Sequence, residues 1–132
     1  MKVPFKSNSG LICVEVALRG KSADGEIKNV ALLLALDTGA TGTVISAKRL
    51  DEAGYDLDKP EDEIYITTGS GLISVPKIGI EKLTALGKTK ENFLVIAHDL
   101  PPTASVDGVL GLDFLRENVL TVDFVKGEIE LN

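Results

Sequence analysis

Apolar and polar residues alternate with a period of two along much of the chain, which is the pattern of half-buried β-strands. In the segment 11–19, apolar side chains stand at every second position, with Cys13 and Glu15 among the residues between them. Clusters of glycine, serine and aspartate, such as the segment 20–25, predict turns. The pattern predicts about eight strands, at 11–19, 26–36, 43–45, 64–68, 72–86, 92–97, 120–124 and 128–131.

Two short helices interrupt these strands. Ser46 is a suitable N-cap for a helix over 47–53, which Gly54 would end, and a second helix is predicted over 113–117. The first ten residues are polar and are predicted to be irregular. At 132 residues the chain fits one domain covering 1–132. Short strands with turns between them predict a mostly antiparallel β-sandwich or closed barrel.

Composition and charge argue against several classes of protein. The formal net charge is −6 and no basic run is present, which disfavours a nucleic-acid-binding protein. The longest apolar run, 30–36, has seven residues, whereas a membrane helix needs about 20. The N-terminus also lacks the apolar stretch of a signal peptide. We expect a soluble, cytoplasmic chain with no membrane segment; a longer, membrane-anchored parent stays open.

The chain has one cysteine and one histidine, Cys13 and His98. A single cysteine forms no internal disulfide, which suits a reducing compartment, and its place in a strand predicts a buried position. Because a structural zinc site needs about four nitrogen or sulfur ligands, we expect no such site here.

Asp37 ends the apolar run and begins the sequence Asp37-Thr38-Gly39. An ionised carboxylate in an apolar setting is costly unless it is paired or hydrogen-bonded. Gly39 allows a sharp turn that brings its amide near the carboxylate, and the Thr38 and Thr41 hydroxyls are local donors. By itself this tripeptide also fits an ordinary turn at the end of a strand.

Three motifs together carry a resemblance. The segment Ala35-Leu36-Asp37-Thr38-Gly39-Ala40-Thr41 resembles the active-site signature of retropepsin-like aspartic proteases. The segment 106–115 resembles the hydrophobic-hydrophobic-Gly element of that family and the short helix after it; its core is Val109-Leu110-Gly111. The Gly69-Ser70-Gly71 hairpin lies where the family carries its flap. The resemblance covers about 11–125 and keeps the family's order of motifs.

The resemblance implies a retropepsin-like closed β-barrel or sandwich with one or two short helices, active as a C2 homodimer. It implies an aspartic endopeptidase in which Asp37 and its symmetry mate share one proton and activate a water, with no metal and no cofactor. The substrate would be a polypeptide, and neither nucleic acid nor a membrane segment is implied. The implied residues are Asp37 as the catalytic acid, Thr38, Gly39, Ala40 and Thr41 as its support, Thr68, Gly69, Ser70 and Gly71 as the flap, and Val109, Leu110 and Gly111 as the hydrophobic-Gly element.

The chain departs from the retroviral members of the family. Thr41 stands where many of them have aspartate, and Leu112-Asp113 stands where they have Arg-Asn, so their arginine–aspartate ion pair is missing. The chain also continues past the second helix as a hairpin, as in cellular and bacterial relatives. A non-catalytic module that dimerises or binds peptides, or an unrelated small barrel, therefore stays open.

The remaining acidic motifs have ordinary explanations. Asp113 is predicted to start the second helix, where a negative charge is favourable. We expect a turn at Asp107-Gly108 and a surface loop at His98-Asp99.

Overall fold

The computed structural model describes residues 1–6 and 10–132. In this part of the chain there are ten strands and two short helices. In chain order they are β1 (Lys2–Pro4), β2 (Cys13–Lys21), β3 (Ile27–Leu36), β4 (Val44–Ile45), α1 (Ala47–Glu52), β5 (Asp62–Thr68), β6 (Gly71–Ala85), β7 (Lys88–Ala97), β8 (Gly108–Leu110), α2 (Leu112–Leu115), β9 (Leu120–Asp123) and β10 (Glu128–Leu131).

Six strands close into a barrel. The order β2-β3-β8-β4-β7-β6 is completed by pairing of β2 with β6, and β5 extends the sheet beyond β6 as one arm of a hairpin. Most neighbours are antiparallel, whereas β3 with β8 and β4 with β7 are parallel. The predicted mostly β, closed-barrel fold is confirmed.

Alternate side chains of the strands fill the barrel, as their period of two requires. The sequence of β3 is apolar on both faces of the strand. Leu32 and Leu34 point into the core; on the other face Leu33 is half-buried and Ala35 is buried. The largest fully buried side chains are Phe114, Leu18, Leu34, Ile45, Leu50, Ile80, Leu83, Leu110, Ile129, Leu131, Val14 and Val95.

A second, three-stranded sheet joins the two ends of the chain, in the order β1-β10-β9. The prediction of an irregular start was wrong for residues 2–4, since Val3 pairs with Ile129. The local sequence gave no sign of this pairing, because the partner strand lies at the other end of the chain. Pro4 is tolerated since β1 is an edge strand, where a missing amide costs no ladder bond. Residues 7–9 of that prediction lie outside the described residues.

Several predicted boundaries move. β7 begins at Lys88 rather than at 92, because Leu86 and Gly87 adopt positive φ angles and form a tight turn that extends the β6–β7 hairpin. α2 covers Leu112–Leu115, and Ser46 caps α1 as predicted, its hydroxyl accepting from the Arg49 amide.

Two expectations at single positions also change. Cys13 is half-buried rather than buried, because it lies on the outer face of β2, opposite the core face of Val14 and Val16. Gly108 belongs to β8 and not to a turn, since it pairs with both Leu34 and Ile45. In the described part of the chain, no helix is long and apolar enough to cross a membrane.

Candidate active site

Asp37 lies directly after the central strand β3, at the end where this strand runs between β2 and β8. The Leu36 amide donates to the Ile12 carbonyl, and the Asp37 amide donates to the Leu110 carbonyl at 3.0 Å. Hydrogen bonds from strands on both sides therefore fix the backbone that carries the carboxylate. Asp37 is half-buried.

Residues 37–41 form a tight turn, called the Asp37 turn below. The Gly39 amide donates to Oδ1 of Asp37 at 2.9 Å, and the Ala40 amide donates to the Asp37 carbonyl at 3.2 Å. The expectation that the Thr38 and Thr41 hydroxyls donate locally was wrong, since neither hydroxyl makes a hydrogen bond within the described residues. Both threonines are exposed, whereas the Gly39 amide faces the Asp37 carboxylate.

The hydrophobic-Gly element packs directly behind this turn. Val109 and Leu110 of β8 pair with Ala35 and Leu36 of β3 in parallel register. A Cβ atom added to Gly111 would lie 2.7 Å from the Gly42 carbonyl carbon and oxygen. Only glycine fits this approach, because real Cβ atoms do not come so close to backbone atoms.

Thr43 and Asp113 form a hydrogen-bonded unit beneath the turn. Oδ1 of Asp113 accepts from the Thr43 hydroxyl at 2.7 Å, and Oδ2 accepts from the Thr43 amide at 3.0 Å. Thr43 is fully buried, and its Oγ1 also accepts from the Gly111 amide at 3.1 Å. Asp113 lies in the first turn of α2 as predicted. Sequence analysis missed the bonds to Thr43, because Thr43 and Asp113 lie 70 positions apart and no local pattern signals such a contact.

Asp107 is the other acid close to the β3–β8 ladder, and it is also engaged. Its Oδ2 accepts from the Leu33 amide at 2.9 Å, while Oδ1 lies 3.6 Å from Nε of Arg49. The Ser46 amide donates to the Asp107 carbonyl, so Asp107 joins β3, β8 and the start of α1. Sequence analysis missed this role.

The predicted flap residues occupy the tip of the β5–β6 hairpin. Thr68 pairs with Gly71 around the two-residue turn Gly69-Ser70, and Gly71 has a φ of +109°. The Thr68 hydroxyl donates to the Gly71 carbonyl at 3.1 Å and accepts from the Ser70 amide at 3.2 Å. Among the described residues, no hydrogen bond joins this tip to the Asp37 turn, so a single chain does not bring the two together by such bonds.

His98 and Asp99 lie away from the Asp37 turn. Asp99 accepts from the Ser46 hydroxyl at 2.7 Å and from the Lys48 amide at 3.2 Å. The Ser46 bond and then the Lys48 bond hold the pKa of Asp99 below its ordinary value. Within the described residues, no group of three or more histidine, cysteine, aspartate or glutamate side chains is arranged to hold a metal ion.

Comparison with known proteins agrees with the arrangement around Asp37. A sequence profile described as aspartyl protease matches residues 23–114, which contain the Asp37 turn, the hairpin and the hydrophobic-Gly element. The chain belongs to the aspartyl protease family. Among curated proteins, none matches the chain.

A solved structure extends this assignment to the fold. The chain is similar to a retropepsin-like aspartic protease from Rickettsia conorii, with a TM-score of 0.71 and 17% sequence identity. The match covers 100% of this chain and 89% of that one. The fold of this aspartyl protease family member is therefore retropepsin-like. Family and fold together support a hydrolase of the protease class.

Proposed function

We propose that the chain is an aspartic endopeptidase that works as a C2 homodimer, with Asp37 from each copy forming the catalytic pair. This proposal rests on the hydrogen bonding of the carboxylates around the Asp37 turn. Within the described residues, Asp107 and Asp113 have both carboxylate oxygens bound or paired, whereas Asp37 is half-buried and hydrogen-bonded on one oxygen only. A second copy is the simplest source of a matching carboxylate.

The chemistry follows from two carboxylates about 3 Å apart, which hold one proton between them because both cannot ionise. The unprotonated Asp37 removes a proton from a bound water, whose oxygen attacks the scissile carbonyl carbon. The protonated Asp37 of the partner subunit donates to the carbonyl oxygen, which gives a tetrahedral diol. When the C–N bond breaks, the Asp37 that took the proton from water passes it to the leaving amine. The partner's Asp37 takes a proton from one hydroxyl of the diol, which becomes the carboxyl product, and the pair again holds one proton.

The β5–β6 hairpin supplies the cover in this proposal. Thr68, Gly69, Ser70 and Gly71 would close over an extended polypeptide that binds by strand-like backbone bonds. One face of the hairpin carries Ile66 opposite Ile73, both half-buried, which suits contact with apolar substrate side chains. Thr38, Gly39, Ala40 and Thr41 shape the floor beneath the substrate. A reducing, cytoplasmic setting fits the single cysteine.

Asp37→Asn tests the proposal. We expect wild type to cleave a denatured protein or a peptide library and Asp37→Asn to lose cleavage by at least about 10³-fold, since the variant pair has no carboxylate to accept the proton from water. Asp99→Asn is the matched control, because it changes an exposed acid away from the site, and it should cleave like wild type. Equal cleavage by wild type and Asp37→Asn at several pH values would refute the proposal. Peptide binding by wild type without turnover would instead favour a binding module.

A further inference from the structure

In the part of the chain that the structure describes, the carboxylate of Asp113 accepts hydrogen bonds from a single residue, Thr43. Both of its oxygens accept hydrogen bonds from Thr43, one from the amide and one from the hydroxyl. An ionised carboxylate only accepts, so the Thr43 hydroxyl must direct its proton toward Asp113. The lone pairs of that hydroxyl are thereby left for the Gly111 amide, which donates to them at 3.1 Å. The Gly111 amide therefore donates to the Thr43 hydroxyl, which donates to Asp113; these linked hydrogen bonds are called the relay below.

This relay lies at the junction where the Asp37 turn meets α2. The Leu112 amide donates to the Ala40 carbonyl at 2.8 Å, and the Asp113 amide donates to the Thr41 carbonyl at 3.2 Å. Two main-chain bonds thus tie the turn to the same segment whose position the carboxylate fixes. The complete burial of Thr43 keeps water from replacing the bonds of the relay.

From this arrangement we propose that Asp113 is a positioning residue, which sets the geometry of the Asp37 turn through Thr43 and Gly111. The inference rests on the proposed function, since the turn is held there for proteolysis. Leu112 is uncharged and forms no ion pair with the turn. The segment 111–113 is held instead by the hydrogen bonds that join Asp113 to Thr43 and Thr43 to Gly111. Asp113 makes no contact with reacting atoms in this role.

Amide hydrogen exchange tests the positioning role without any substrate. In Asp113→Ala we expect the Gly39 and Leu112 amides to exchange at least about tenfold faster, while the amides of β6 and β7 keep their wild-type rates. Asp113→Asn keeps one accepting oxygen and should give a smaller rise at the same amides. Thr43→Val removes the relay hydroxyl, keeps the side-chain shape, and should raise exchange at the Gly39 and Leu112 amides as Asp113→Asn does.

Asp99→Ala is the matched control, because Asp99 also accepts from one hydroxyl and one amide but at the start of α1. It should leave exchange of the Gly39 and Leu112 amides unchanged. Wild-type rates at these two amides in a folded Asp113 or Thr43 variant would overturn the inference. So would a uniform rise that includes β6 and β7, since that result shows a loss of overall stability. If Asp113→Ala does not fold, Asp113→Asn and Thr43→Val decide between these outcomes.

The kinetic measurement separates positioning from substrate binding. Asp113→Ala should lower kcat by about 10²-fold while KM stays near the wild-type value, with partial recovery in Asp113→Asn. A change in KM alone would contradict positioning. If wild type cleaves nothing, the proposed function fails, but the exchange rates still decide whether Asp113 holds the turn.

Discussion

The Asp37 turn is hydrogen-bonded to other parts of the chain, whereas the tip of the β5–β6 hairpin, among the residues the structure describes, is hydrogen-bonded only within itself. The turn and its flanks receive or give bonds to residues 12, 110, 112 and 113. The bonds of the tip join Thr68 to Ser70 and Gly71. The molecule thus holds the half-buried Asp37 on a fixed backbone, whereas the exposed hairpin tip is held only by hydrogen bonds between its own described residues.

This difference matches what the proposed chemistry requires of each region. A catalytic carboxylate needs a fixed position, which comes from a packed second layer of residues. A cover needs to open and close, and segments with few tertiary bonds are those that open at low free-energy cost. Substitutions in the two regions should therefore separate loss of stability from loss of activity.

The largest stability effect should come from Gly111→Ala, in the fixed region. The new methyl would meet the Gly42 carbonyl carbon and oxygen at 2.7 Å and the Ala40 carbonyl oxygen at 2.9 Å. We expect the free energy of unfolding to fall by about 1–3 kcal/mol in denaturant titrations. Gly10→Ala is the control, since its Cβ would meet no atom within 4 Å, and its stability should stay at the wild-type value. Equal stability of the two variants would refute the close packing described here.

A smaller stability effect, with a selective effect on activity, should come from Gly71→Ala at the hairpin tip. Gly71 has a φ of +109° and open space around it, so the new side chain meets backbone strain rather than a clash. Gly25→Ala is the matched control in the β2–β3 turn, with a φ of +83° and equally open space. Both variants should lose roughly 1 kcal/mol of stability.

Gly71→Ala should lower kcat/KM, whereas Gly25→Ala should leave it unchanged. The loss should be about tenfold if backbone strain at residue 71 makes the closed hairpin about 1.4 kcal/mol less stable. The same kcat/KM in Gly71→Ala and Gly25→Ala, measured on one peptide, would show that the hairpin tip does not cover the substrate.

The smallest effect should come from Asp99→Asn, outside both regions. Hydrogen bonds from the Ser46 hydroxyl and then the Lys48 amide lower the pKa of Asp99 in the folded chain. A lowered folded-state pKa stabilises the fold above the unfolded value of about 3.9, and this gain is lost as the pH falls through the folded-state pKa. Because the carboxylate is exposed, we expect Asp99→Asn to lose only about 0.5 kcal/mol at pH 7. In thermal melts, the stability difference between wild type and Asp99→Asn should shrink below about pH 4. A stability difference that grows there would contradict the lowered pKa of Asp99.

Local sequence patterns predicted most of the strands and the Asp37 turn because both depend on neighbouring residues. The apolar run before Asp37 and the glycine after it define a buried strand that ends in a tight turn. The Thr43–Asp113 bonds join residues 70 positions apart, and the pairing of β1 with β10 joins the chain ends. No periodicity reports such contacts. Asp113 could be assigned to the start of a helix from sequence, but its partner could not.

Subunit mixing tests the central claim, that the catalytic pair contains one Asp37 from each of two copies. Wild type and Asp37→Asn are mixed in equal amounts, allowed to exchange subunits, and assayed on one peptide at a fixed total protein concentration. If only the dimer with two wild-type copies is active, random pairing leaves about a quarter of the activity of pure wild type at the same total protein concentration. A residual activity of about half would show that each chain acts with its own Asp37 alone, and would contradict the account.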